Sequence, residues 1–204
     1  VVEPELVAAW EDLRLKRLVL EPLENNCWFV TRPSHGTGGI VVDAPSRPDL
    51  IRAVAERYGI RDVLITHRHP DHVGAAAPLA DAGLRLWIHP LDADGFAWAR
   101  TLPAERATVE LGGLRVEVIP TPGHTPGSTC FRLGGALCLT GDTLFPGGPG
   151  KTAGPDAFAR IIASIRDELF GTLPDECTVA PGHGATTTIG AERASLPSWV
   201  ERGW

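Results

Sequence analysis

Three imidazoles and one carboxylate fall within six residues in Thr66-His67-Arg68-His69-Pro70-Asp71-His72. Such a group is costly to bury unless it is paired or metal-bound. His67 and His69 alternate, so an extended loop points both to the same side. Asp71 and His72 then turn with the chain into a second pocket. Three further loops each offer one ligand-type side chain beside Gly or Pro: Pro122-Gly123-His124-Thr125-Pro126-Gly127, Gly141-Asp142-Thr143-Leu144-Phe145 and Pro181-Gly182-His183-Gly184. Gly and Pro fix sharp turns and let the backbone crowd an ion. The four loops hold five of the seven histidines, a concentration that incidental surface residues do not explain. Imidazole and carboxylate donors suit zinc, and equally iron or manganese. The chemistry they imply is metal-assisted hydrolysis. His35 and His89 lie outside the pattern and are read as surface or structural residues.

Each loop begins where a strand is predicted to end, in RDVLIT (61–66), LRVEVIP (114–120), ALCLT (136–140) and CTVA (177–180). Further strand-like runs are LKRLVLEP and NCWFVT, separated by Glu24-Asn25-Asn26, then GGIVVDAP (38–45), which carries Asp43 at its end, and LRLWIHP (84–90). Helical spacing of Leu50, Ile51, Val54, Ala55 and Tyr58 predicts a helix over 49–59, stopped by Gly59. Others are predicted over 72–83 and over 156–170, the latter with Phe158, Ile161, Ile162, Ile165 and Leu169 on one face. Strand–helix–strand alternation in the first half implies right-handed crossovers and a partly parallel sheet. In the second half, Gly112-Gly113 and Gly134-Gly135 read as hairpin turns. The expected architecture is α/β, with two mixed sheets packed face to face and helices outside, over one domain spanning 1–204. No linker or 20–50-residue repeat divides it.

Bulk properties narrow the function classes. The chain is 43% hydrophobic and 22% charged, ordinary for a globular protein. A formal charge of −6, with no basic run, argues against a nucleic-acid partner. No stretch approaches the roughly 20 apolar residues of a membrane span. The first residues, VVEPELVAAWEDLRLKR, lack a basic leader and apolar core, so no signal peptide is expected. Cys27, Cys130, Cys138 and Cys177 have no CxxC spacing and read as buried reduced thiols, which suits a cytoplasmic protein. The expected partner is a small-molecule substrate.

The four loops, in this order and over nearly the whole chain, resemble the metallo-β-lactamase-fold hydrolases. That resemblance implies an αββα sandwich with two divalent metal ions at one edge of the sheets. It implies His67, His69 and His124 on the first ion, and Asp71, His72 and His183 on the second, with Asp142 bridging both. Asp71 and Asp142 would thereby be catalytic as well as ligating. Two such cations would lower the pKa of a shared water to about 7 and polarise a carbonyl, zinc being the default metal.

Within the superfamily, Gly141-Asp142-Thr143-Leu144-Phe145 followed by Gly150-Lys151, with Pro122 to Ser128 upstream, looks closest to the glyoxalase II-like thioester hydrolases. The resemblance implies an S-acyl conjugate of a low-molecular-weight thiol as substrate and Lys151 as a contact to the thiol carrier. A thiolate, near pKa 8–9 for a simple thiol, leaves without a strong general acid. The chain departs from full-length members in two ways. It stops about 20 residues after His183, which matches a shorter single-domain branch, and it lacks the Cys before Gly-Lys and the nearby aromatic of glutathione-binding members. GGPGKT is no phosphate loop, because Phe145 stands where the first Gly is required. The alternatives are a lactonase, a β-lactamase-like hydrolase, and a persulfide dioxygenase with one iron on His67 or His69, His124 and Asp142. A β-lactamase usually has Cys or Ser in place of Asp142. A metal-binding protein without turnover is the non-enzymatic alternative.

Overall fold

The computed structural model describes residues 2–203. A meander of antiparallel strands opens the chain: β1 (Glu5–Trp10), β2 (Leu13–Leu20), β3 (Asn25–Thr31) and β4 (Ile40–Val42). Parallel pairing then adds β5 (Asp62–Leu64), β6 (Arg85–Ile88) and β7 (Ala99–Thr101), so the first sheet runs β1 to β7 in sequence order. The second sheet contains β8 (Ala107–Leu111), β9 (Leu114–Pro120), β10 (Thr129–Leu133), β11 (Leu137–Gly141), β14 (Thr178–Pro181) and β15 (Thr187–Thr188), in the order β15-β14-β11-β10-β9-β8. Only β11 and β14 pair in parallel there. A short hairpin, β12 (Leu144–Phe145) with β13 (Gly148–Pro149), stands apart.

Two-residue alternation sorts the side chains into three apolar layers. On β3, Trp28 and Val30 face the second sheet, where they meet Phe131, Leu139 and Ala180. Cys27 and Phe29 face the other way, onto α1 (Pro48–Tyr58) and α3 (Ala76–Asp81), with Ile51, Val54 and Leu79. Behind the second sheet, Ile119, Cys138 and Val179 pack against α4 (Pro155–Ser164), α5 (Ile189–Arg193) and α6 (Leu196–Arg202). The layering is αββα, as the hydrophobic pattern predicts. Both Gly-Gly turns close hairpins, Leu111 pairing with Leu114 and Leu133 with Leu137. All four cysteines are buried free thiols, and burial pushes Cys177 up to about 11.

Short elements that no sequence pattern marked, β7, the β12–β13 hairpin, β15, α5 and α6, add to the expected set, and three further elements differ from the sequence expectation. The helix expected over 72–83 is two pieces, α2 (Pro70–Val73) and α3. Backbone bonds are diverted there to the loop after β4: Ala44 N donates to the His72 carbonyl, and Ala75 N to that of Ala44. The helix expected over 156–170 ends at Ser164 and continues as a wider π-helical turn, Ile165–Phe170, which buries Ile165, Leu169 and Phe170 together. Strand β1, weakly alternating and half exposed, had no clear period to reveal it. No helix among the described residues is long and apolar enough to cross a membrane.

Candidate metal centre

The loops after β5, β9, β11 and β14 all open at one end of the sandwich, and the start of β3 reaches the same end. They bring together His67, His69, Asp71, His72, His124, Asp142 and His183. His67 Nε2 lies 3.0 Å from His69 Nδ1 and 3.2 Å from His124 Nε2. Asp71 Oδ2 lies 3.3 Å from His183 Nε2 and 3.6 Å from His72 Nε2. Ligands on one tetrahedral ion with bonds near 2.1 Å stand about 3.4 Å apart. Asp142 spans both groups, with Oδ1 at 3.4 Å from His72 Nε2 and Oδ2 at 3.6 Å from His124 Nε2 and 3.9 Å from His183 Nε2.

Outer partners fix which ring nitrogen faces inward. His72 Nδ1 donates to Asp43 Oδ2 at 2.8 Å, His124 Nδ1 to the Lys151 carbonyl at 2.6 Å, and His183 Nδ1 to the Leu23 carbonyl at 3.0 Å. Each ring then presents an Nε2 lone pair to the cluster. His67 Nδ1 meets Thr66 Oγ1 at 3.1 Å, whose own proton goes to Asp43. So His67 and His124 face each other lone pair to lone pair, an arrangement that a cation relieves. Asp142 Oδ1 is buried with no hydrogen-bond donor among the described residues. At Gly182 a Cβ would come within 2.3 Å of that oxygen and 2.6 Å of His72 Cε1, so only glycine leaves the space open. The donor set, the orphaned oxygen and the open space all fit divalent cations.

Charge is arranged to match. Burial, helped by the surrounding imidazoles, pushes His67 well below its ordinary value, and burial also lowers His69. Both are neutral electron-pair donors at pH 7. Burial opposes ionisation of Asp71 and Asp142. Even so, Asn25 and His72 at Asp71, and His72 above all at Asp142, hold both below the usual carboxylate value. At His72 burial disfavours a proton, yet Asp43 and Asp142 outweigh it and raise the ring to about 10. The field at this point demands positive charge, whether from a proton or a metal.

Lys151 also contributes through its backbone: its carbonyl orients His124, while its side chain is exposed. Gly150 makes this possible. A Cβ there would sit 1.9 Å from the Asp142 carbonyl, so glycine lets the 147–151 loop lie directly on the Asp142 turn. His89 is structural, buried with Nδ1 accepting from Leu91 N and Nε2 donating to the Ala104 carbonyl, and His35 is exposed.

Sequence reading missed three contributors. Asp43, in a left-handed conformation (φ 64°), also accepts from Thr66 N at 2.8 Å and so braces the motif strand. An acid ending an apolar run beside that strand was the available signal. Buried Asp92 accepts from Arg68 N at 3.0 Å, Thr125 Oγ1 at 2.6 Å and Gly127 N at 2.9 Å, joining the loops of His67 and His124. Asn25 has its amide among Asp71, His72 and His183. No local pattern marks the last two. A cleft of about 720 Å³ lies at the opposite end of the strands, between Trp10, Arg32, Leu114 and Arg132, remote from this chemistry.

Residues 20–183 match the Metallo-beta-lactamase superfamily. The chain belongs to this superfamily. It is 35% identical over 171 residues to the hydroxyacylglutathione hydrolase GloC of Haemophilus influenzae, covering 72% of this chain and 80% of that one. Among solved structures it is similar to TTHA1623 in a di-iron-bound form, at 32% identity and a TM-score of 0.72, covering 90% of this chain and 99% of that one. ETHE1 from Myxococcus xanthus is 25% identical with a TM-score of 0.75, covering 90% of this chain and 83% of that one. The protein is thus a hydrolase of the metallo-beta-lactamase superfamily, a fold whose His/Asp clusters hold divalent metals, and its relatives include glyoxalase II-like enzymes.

Proposed function

We propose that this chain, acting as one metallo-β-lactamase-like domain, hydrolyses a thioester of a low-molecular-weight thiol with two divalent metal ions, zinc in the first instance. The observation that carries this reading is the paired cluster with Asp142 between its halves, in a chain 35% identical to a hydroxyacylglutathione hydrolase. His67, His69 and His124 would hold one ion, Asp71, His72 and His183 the other, and Asp142 both. When bound, the ions supply Lewis acidity toward the acyl carbonyl and water activated at neutral pH.

The chain's own residues do the rest. Asp43, Leu23 and the Lys151 carbonyl hold the imidazoles in their working tautomers. Asp71 and Asp142 stay ionised, available as proton acceptors next to the reacting centre. Phe145, its ring 6.4 Å from that of His183, offers an apolar wall for the acyl or thiol part. The exposed Lys151 ammonium is a point charge for a carboxylate on the thiol carrier. A thiolate leaving group needs no protonation, consistent with the absence of an added acid in the ligand set.

The experiment is metal analysis joined to a panel of thioester, lactone, β-lactam and persulfide substrates. Two metals per chain with preferential thioester turnover is the expected result. Preferential lactone or β-lactam cleavage would refute the substrate class, and one iron with oxygen consumption would refute both substrate and site.

A further inference from the structure

Asn25 opens β3, buried, and has no place in the ligand set proposed above. Its main chain is tied to the centre: Asn25 forms an antiparallel bridge with His183, and Asn26 N donates to the Gly182 carbonyl at 2.7 Å. The amide is thus delivered to the cluster by backbone pairing. Its Nδ2 position is 3.1 Å from Asp71 Oδ2, 3.2 Å from His183 Nε2 and 3.4 Å from His72 Nε2. Those are three of the atoms assigned to the second ion, and these separations match those between neighbouring ligands on one ion, roughly 3.0–3.5 Å for bonds near 2.1 Å. The amide end stands as a further vertex above that trio.

The NH₂ end faces Asp71 Oδ2 and the Nε2 atoms of His72 and His183, and once a cation binds those three atoms their lone pairs point at the ion, leaving the NH₂ protons without an imidazole acceptor. A half-turn about the last side-chain bond exchanges Nδ2 for Oδ1 at the same place. The amide oxygen is a neutral ligand that divalent cations accept, harder cations especially.

We propose that Asn25 Oδ1 is a ligand of the second metal ion, completing a set of Asp71, His72, His183 and the shared Asp142. The inference rests on the dinuclear reading. It makes the second site rich in oxygen, with three oxygen and two nitrogen donors against one oxygen and three nitrogen donors at the first, so manganese or iron competes with zinc better there.

The test is titration of the metal-free chain with Co(II), read by calorimetry and visible d–d absorption, for wild type, Asn25→Ala and Asn25→Asp. Wild type should take up two equivalents. Asn25→Ala should weaken the second about tenfold and shift its absorption bands, because a ligand is lost. The first equivalent and the far-ultraviolet circular dichroism should stay as in wild type. Asn25→Asp, which retains an oxygen donor, should restore the second equivalent. A second equivalent in Asn25→Ala that is equally tight, or weaker with unaltered bands, would overturn the inference, the latter meaning that the amide only donates to Asp71. One equivalent in wild type would overturn the dinuclear reading and this ligand with it.

Discussion

The two halves of the centre are built on opposite plans. His67, His69 and His124 form an all-imidazole group, with His67 and His69 kept neutral by burial and their loops joined by one buried carboxylate, Asp92. Asp71, His72 and His183 form a charged group, backed by Asp43, stitched to β3 by Asn25 and to the turn before it by the Leu23 carbonyl. The first half is preorganised by withholding protons, the second by concentrating negative charge. An all-imidazole trio brings no negative charge and holds a metal by donor geometry alone, whereas a trio with a carboxylate holds whatever cation is offered, protons included. Cation loading should therefore depend on pH mainly in the second half.

The most damaging change to both halves is Asp142→Ala, which removes the carboxylate that spans them. Metal analysis should show both ions weakened and turnover down by on the order of 100-fold or more. His183→Ala should by contrast leave close to one metal per chain. Two metals and near-normal turnover in Asp142→Ala would break the bridging assignment.

Asp92→Ala tests whether the first half is really held from outside. Three hydrogen bonds vanish, leaving Arg68 N, Thr125 Oγ1 and Gly127 N without their acceptor. The expected cost is about 2–3 kcal/mol in denaturant unfolding, with a first-site affinity about tenfold weaker and the second site spared. Equal weakening of both sites would remove the distinction between the halves.

The protons sharpen it further. In metal-free protein His72, raised to about 10, carries a proton at neutral pH that a metal must displace. Second-site affinity should therefore rise with pH below that value, by up to about tenfold per unit. His67 and His69, shifted downward, carry no proton to lose at neutral pH, so the first site should be nearly flat from pH 7 upward. Calorimetry in buffers of different ionisation enthalpy counts the protons released at each step. Equal release at both steps would contradict the comparison.

The smallest effect is expected at Lys151, where carbonyl and side chain separate. Lys151→Ala keeps the carbonyl on His124, so metal content and kcat should hold. KM for an anionic thioester should rise about fivefold, fading at high salt. A neutral thioester should be unaffected, and equal losses on both substrates would rule out carboxylate docking.

Much of this centre was legible because its donors are local. His67 to His72 share one loop, and His124, Asp142 and His183 each sit beside Gly or Pro directly after an apolar strand, so short-range spacing carried the pattern. The apolar run of β3, buried on both faces, and the Gly-Gly hairpins likewise disclosed the layered sheets. Asp92 and Asn25 were not legible, and Asp43 only as an acid ending an apolar run, since each acts on residues between 23 and 158 positions away through hydrogen bonds that exist only once the sheets pair. The break between α2 and α3 has the same origin, in backbone bonds to Ala44. The sequence by itself determined which atoms could hold cations and which strands would present them. The tertiary structure alone decided which nitrogen of each ring turns inward and where the charge gathers. Those depend on partners that are distant in the chain, and only close packing brings them within hydrogen-bond reach.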